Sequence, residues 1–312
     1  MKLVQITDIH LFSDRAGCMA EWPGRPTLQS LSVVLDDILR RVPDLDALVV
    51  SGDVADSGLD AGAYLTLRRE LERRGGLLER THIIPGNHDR RAPLLAAFPE
   101  CEGTRIHSDA VSQAGGELTE ASFAASVHIA NGEWRLIGLD SGGTSSAPTL
   151  SSAQLQRLSN ELGDAQHRDK RTLLFMHHAP VAVGHYFDSP FPDTVLASLE
   201  STLRGSTRVE AFLTGHNHYE GEAEFAGLPV LVSPSTTCQY ATNPADGSWM
   251  VASAAADHTH LAGIDPQAPA HHLANPLMVP GYRIVEGLPS GGLRSQCVWV
   301  PGAASVGVAA AL

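Results

Sequence analysis

The order of apolar and polar positions divides the first third of the chain into alternating periods. KLVQIT at residues 2–7 reads as a buried strand, and TLQSLSVVLDDILRRV then carries Leu28, Leu31, Val34, Leu35, Ile38 and Leu39 at helical spacing. DALVVS at 46–51 is a second strand, DAGAYLTLRRELERRGG at 60–76 a helix closed by Gly75 or Gly76, and THIIPG at 81–86 a third strand. Strand, helix, strand, helix, strand predicts parallel βαβ units and an α/β fold. Further on, ASFAASVHIANGEWRLIGLDS reads as two strands joined at Asn131-Gly132. A helix follows, with Ser151 and Gln154 as a capping box and Gly163 as its stop. RTLLFM and VEAFLTG are two more strands around a short helix in DTVLASLESTL. EGEAEFAGLPVLVSPS bends at AGLP, and GYRIVE and QCVWV close the pattern as a strand pair.

Residues that bind metals or phosphates follow five of these strands. Asp8 and His10 come after the first, Asp53 after the second, and Asn87, His88 and Asp89 after the third. His177 and His178 follow RTLLFM, and His216 and His218 follow VEAFLTG. The carboxyl ends of parallel strands share one sheet edge, so these residues are expected to converge. In extended backbone, Asp8 and His10, like His216 and His218, would leave on the same face, whereas adjacent His177 and His178 would point opposite ways. Gly52, Gly86 and Gly215 sit immediately before ligand-type residues, where a missing Cβ permits a sharp turn and close approach. Two aspartates, one asparagine and four histidines are too many for one ion and suit two ions sharing a carboxylate. Ligation without thiolate favours Mn, Fe or Zn.

Composition narrows the partners. A formal charge of -13 disfavours long nucleic acid and anionic membranes. No apolar run is long enough to span a bilayer, and the start MKLVQITDIH has no secretory pattern, so the cytoplasm is the expected compartment. The four cysteines are scattered and predict neither a zinc knuckle nor a disulfide framework.

The blocks DIH, SGD, PGNHD, MHH and GHNH, in this order, resemble the signature blocks of calcineurin-like metallophosphoesterases over about residues 2 to 240. The resemblance implies a four-layer α/β/β/α sandwich. One metal would be held by Asp8, His10 and His218, the other by Asn87, His177 and His216, with Asp53 bridging. It also implies attack of a metal-bridging hydroxide on a small phosphodiester, with His88 as catalytic residue assisted by Asn87 and Asp53, and with Asn87, His88 and His178 as substrate contacts. SPSTTCQY and PGYRIVE are similar to blocks of bacterial class III cyclic-nucleotide phosphodiesterases, which makes a 3',5'-cyclic nucleotide the expected substrate. Glycerophosphodiesters or a broader ester range are the alternative, and a binding scaffold without catalysis is the non-enzymatic one.

Domain organisation follows from the same reading: a catalytic core over 1–247 and a C-terminal extension over 248–312, packed on it as a cap or as a homodimer contact. The histidine-rich stretch 257–272 falls in that extension. Arg90 and Arg91 read as a solvated helix start or as phosphate attractors, Asp89 as a support for ligands, and Cys238 as a packing residue.

Overall fold

The computed structural model describes residues 1–20, 25–99, 124–129, 133–142, 148–164, 169–184, 187–206, 208–242, 249–251 and 279–300. The turn at Asn131-Gly132, the histidine-rich stretch 257–272 and the tail beyond residue 300 lie outside these.

The first part runs β1 (Lys2–Ile6), α1 (Thr27–Arg41), β2 (Ala47–Ser51), α2 (Ala61–Glu72), β3 (Thr81–Ile84) and α3 (Arg91–Ala97). The middle comprises β4 (Ala124–Ile129), β5 (Trp134–Leu139), α4 (Ser152–Gly163), β6 (Arg171–Met176), α5 (Asp193–Leu203) and β7 (Val209–Thr214). Among the described residues that follow, the elements are β8 (Gly221–Phe225), β9 (Leu228–Val232), β10 (Tyr240–Thr242), β11 (Trp249–Val251), β12 (Gly281–Gly287) and β13 (Leu293–Trp299).

Two large sheets result. The first has the order β13-β12-β1-β2-β3, and the second β4-β5-β6-β7-β9-β8. β1, β2 and β3 are parallel, as the βαβ pattern predicts, while β12 joins β1 antiparallel. β12 and β13 therefore extend the first sheet. In the second sheet β5, β6, β7 and β9 are parallel, and β4 and β8 are antiparallel edges.

Side-chain alternation sorts the layers. Val4, Ile6, Leu48, Val50 and Ile83 pack with Leu28, Leu31, Val34, Leu35 and Ile38 of α1 and with Tyr64 and Leu67 of α2. From the other face of the same strands, Leu3, Ala47, Val49 and Ile84 pack against the second sheet, whose far side carries Leu155, Leu158 and Leu162 of α4 and Leu199 and Leu203 of α5. The sequence of layers is helices, sheet, sheet, helices, the expected α/β/β/α sandwich. Each fully buried Leu or Ile contributes roughly 1.5–3 kcal/mol to holding these layers together.

Local signals act where expected, with one exception. Ser151 Oγ accepts from the Gln154 N–H at 3.2 Å, and the Ser151 N–H donates to Gln154 Oε1 at 2.8 Å, which forms the capping box. Ala226 (φ 54°) and Gly227 (φ 77°) make the β8–β9 turn, because a tight hairpin needs two left-handed residues there. α2 stops at Glu72, short of the expected glycines. Its last turn is closed instead by the Arg74 guanidinium, which donates to the Glu70 and Ser32 carbonyls at 3.0 Å each.

Candidate metal centre

The five strand ends meet, though along two sheet edges rather than one. β1, β2 and β3 bring Asp8, His10, Asp53, Asn87 and His88 from the first sheet, while β6 and β7 bring His177, His178, His216 and His218 from the second. The His216 N–H donates across the gap to Asp8 Oδ2 at 3.0 Å.

The chain reaches these positions through strained turns and not in extended backbone. Asp8, His10, Asp53, His216 and His218 all have positive φ, between 48° and 72°. Left-handed backbone at residues bearing a Cβ costs roughly 1–3 kcal/mol each and persists where surrounding contacts enforce it. The same-face argument from strand alternation is thus replaced by a turn at each ligand pair. Alternation also fails for the adjacent histidines, because β6 ends at Met176: the rings of His177 and His178 lie 5.2 and 4.3 Å from that of His216. Close approach explains two of the glycines. A Cβ on Gly86 would sit 2.5 Å from the Asp53 backbone nitrogen, and one on Gly215 would sit 2.8 Å from Asp8 Oδ2.

The donor atoms fall into two groups around Asp53. In one, His218 Nε2 is 3.1 Å from His10 Nε2 and 3.5 Å from Asp8 Oδ1. In the other, Asn87 Oδ1 is 3.0 Å from both His177 Nε2 and His216 Nδ1. Asp53 Oδ2 reaches both, at 3.3 Å from His177 Nε2 and 3.8 Å from His10 Nε2. Hydrogen bonds on the outer nitrogens select which inner ones are left. His218 Nδ1–H donates to the Cys238 carbonyl at 3.0 Å and His177 Nδ1–H to the Ser51 carbonyl at 2.9 Å. His216 Nε2 lies 3.1 Å from Ser189 Oγ. Nitrogen lone pairs and carboxylate and amide oxygens therefore face one another, an arrangement that calls for cations between them. The residues fit two metal ions. The Cys238 thiol is not in this set, since it lies 3.5 Å from the outer nitrogen of His218.

Charges in the cluster compete in the way a metal site requires. Burial raises the Asp8 carboxyl to about 6. Burial would do the same to Asp53, but the adjacent His177 charge pulls it well below the usual carboxylate range. His177 is opposed by burial yet raised to about 9 by Asp53 and Asp8, so a proton occupies that gap and a cation would replace it. Burial, with the His177 charge, lowers His216 to about 3, and burial with His10 lowers His218 well below its ordinary value. Both stay neutral, as ligands must.

Supporting residues lock the loops. Asp89 accepts from the backbone N–H groups of Gly86, Val54 and Ala55 at 2.9, 3.1 and 3.0 Å, tying the loop after β3 to the one after β2. Arg91 is neither solvated nor aimed at a phosphate. It is buried in a bidentate pair with Asp140, at 2.6 and 2.8 Å, which fastens the start of α3 to the end of β5. His88 is exposed, with its backbone N–H on Asp53 Oδ1 at 2.8 Å and its Nδ1–H on the Asp56 carbonyl at 2.7 Å, which leaves Nε2 outward. His178 is 1% exposed; Ser141 Oγ accepts from its backbone N–H at 3.0 Å and lies 3.2 Å from its Nδ1. The His178 Nε2 is buried without a partner among the described residues. Sequence reading missed Ser141, Ser189 and Asp140; the polar residues just past β5 hinted at Asp140 and Ser141, and nothing marked Ser189, between β6 and α5.

A sandwich of two sheets with an acceptor-rich cluster at their common end defines a metal-dependent phosphoesterase. The chain belongs to the calcineurin-like phosphoesterase family, whose model matches residues 1–220. It is 29% identical over 245 residues to the 3',5'-cyclic adenosine monophosphate phosphodiesterase CpdA of Pseudomonas aeruginosa, covering 78% of this chain and 79% of that protein. The protein of the same name from Haemophilus influenzae is 30% identical over 243 residues, covering 77% and 78%. Among solved structures, a dimetal phosphatase from Danio rerio shares the fold, with a TM-score of 0.59 at 15% identity over 96% of this chain and 98% of that one. Among the described residues, no helix is long and apolar enough to cross a membrane.

Proposed function

We propose that this enzyme hydrolyses 3',5'-cyclic nucleotides in the cytoplasm, with Mn, Fe or Zn as the metals. Asp8, His10 and His218 would hold one ion, Asn87, His177 and His216 the other, and Asp53 would bridge them. When bound, the two ions supply Lewis acidity and lower the pKa of water between them. The supporting observation is the division of acceptor atoms into two groups with Asp53 within reach of both and exposed His88 beside it. The names of the relatives support the cyclic-nucleotide substrate.

The chain's own groups then orient and protonate. Asn87 fixes its Oδ1 between two imidazoles, which turns its amide nitrogen toward a phosphoryl oxygen. His88, with Nδ1–H engaged by the Asp56 carbonyl, gives the leaving alkoxide the Nε2 proton of its imidazolium form and is left as the neutral Nδ1–H imidazole. His178, the other expected substrate contact, is buried with its ring 4.3 Å from that of His216. The buried cluster supplies a local positive field once loaded, so the formal charge of -13 spread over the surface does not exclude a small anion. The catalytic unit in this reading includes β12 and β13.

Mn²⁺-loaded protein assayed on cAMP, glycerophosphocholine and bis(p-nitrophenyl) phosphate tests the reading. Turnover of cAMP should lead, and His88→Ala should lower kcat by about 10²- to 10⁴-fold with both metals retained. Preference for glycerophosphocholine would transfer the enzyme to the other substrate class, and no turnover of any diester would end the proposal.

A further inference from the structure

The segment Ser235–Tyr240 takes no part in the chemistry above, yet it grips the turn that carries Asp8 and His10. Ser235 Oγ donates to the Asp8 carbonyl at 2.8 Å, and Thr237 Oγ1 donates to the Ile9 carbonyl at 2.7 Å. The Thr236 N–H donates to the Thr7 carbonyl at 2.9 Å. The same segment holds the third ligand of that group: the Cys238 carbonyl receives His218 Nδ1–H, and the Tyr240 ring stacks on the His218 imidazole at 4.7 Å and 26°. Ser235, Thr236, Thr237 and Cys238 are all buried.

The other group leans elsewhere. His177 is oriented by the Ser51 carbonyl and His216 by Ser189. The segment is in turn anchored toward the C-terminal strands. Gln239 Nε2 donates to the Ser235 and Val279 carbonyls at 2.7 and 3.2 Å, and the Gly281 N–H donates to the Ser235 carbonyl at 2.8 Å. These contacts lie beyond residue 220, where the family model's match ends, although the ligands they hold lie within it.

We infer that Ser235 and Thr237 are positioning residues that set the affinity of the Asp8–His10–His218 ion independently of the Asn87–His177–His216 ion. Two hydroxyl donors are what satisfy the buried carbonyls of a turn with left-handed backbone at both ligands. Removing one leaves an acceptor unpaired and lets the turn relax away from the geometry the ion needs. Loss of a supporting contact of this kind lowers metal affinity on the order of 10- to 100-fold. The inference rests on the dinuclear reading of the site, and its test separates the two.

Metal-free protein is titrated with Mn²⁺ and with Zn²⁺ by calorimetry, and bound metal is counted by mass spectrometry. His218→Ala and His216→Ala assign the binding steps to the two ions. Wild type should take up two ions; fewer would overturn the dinuclear reading itself. Given two, Thr237→Val should weaken the step lost in His218→Ala by about 10-fold or more and leave the other unchanged. Thr237→Ser, which keeps the hydroxyl, should restore it, and Ser189→Ala should weaken the opposite step. Equal weakening of both steps, or no change in either, would overturn the positioning role. Should the melting curve of metal-free Thr237→Val show that it does not fold, Ser235→Ala carries the same expectation.

Discussion

The two faces of the first sheet are built differently. On the helix side, β1 and β2 present Val4, Ile6, Leu48 and Val50 to the apolar side chains of α1 and α2. On the side facing the second sheet, Leu3 and Ala47 give way to Gln5 and Ser51 as the strands approach the metal centre. Gln5 Nε2 donates to Ser51 Oγ at 2.8 Å and to the Thr214 carbonyl at 3.0 Å, and Ser233 Oγ donates to Gln5 Oε1 at 2.6 Å. Buried Arg283 joins this network through Ser233 Oγ at 3.2 Å and the Val232 carbonyl at 2.8 Å. One face supplies cohesion; the other becomes a polar pedestal that fixes the two sheets in register below the ligands.

The contrast can be broken in several places. The largest effect is expected at the top of the pedestal. Asp53→Ala should remove or weaken both ions and lower kcat/KM on the order of 10³-fold, measured with metal content on the same sample. On the helix face, Leu35→Ala should cost about 2–5 kcal/mol in denaturant unfolding while metal content stays at two, and a loss of metal would show that the faces are not independent.

Acid should act through the first sheet as well. His82 on β3 is held neutral by burial, which lowers it from 6.5 to about 4. The unfolded chain takes up that proton first, so the stabilisation is complete above pH 6.5 and fades as pH falls toward about 4, by up to about 3 kcal/mol. The unfolding free energy of metal-free protein between those pH values, against His82→Leu, measures it; identical slopes would refute the assignment. The smallest effect belongs to Gln5→Leu. It should destabilise by roughly 1–3 kcal/mol, because Ser51, Ser233 and the Thr214 carbonyl lose a partner, and it should disturb metal binding more than Leu35→Ala does.

The convergence of the candidate ligands was legible in the sequence for a physical reason. A residue at a strand end that must turn sharply advertises itself through glycine and a ligand-type side chain, as in Gly52-Asp53 and Gly215-His216. What the sequence did not carry is anything settled by a distant partner. Arg91 reads as a surface helix start until Asp140, 49 residues on, takes its guanidinium into the interior. Ser235 and Thr237 look like loop hydroxyls because the carbonyls they satisfy lie more than two hundred residues earlier. The divergence expected of His177 and His178 failed because alternation ends with the strand, and the sequence does not mark where β6 stops. The two-sheet arrangement is legible only through the family resemblance, since alternation gives the faces of a strand but not which sheet it joins.

The place of β12 beside β1 has a consequence for how the molecule is made. During synthesis β1 gains β2 as one neighbour within tens of residues, but its other neighbour, Arg283 to Glu286 paired with Lys2 to Gln5, emerges more than two hundred residues later. At roughly 5–20 residues per second the open edge of β1 waits for tens of seconds during synthesis. The hydroxyls that grip the Asp8–His10 turn arrive in the same late stretch. A nascent chain can therefore build its apolar helix-backed layer early, while the ion-binding end stays unfinished until the segment from Ser235 to β12 has emerged.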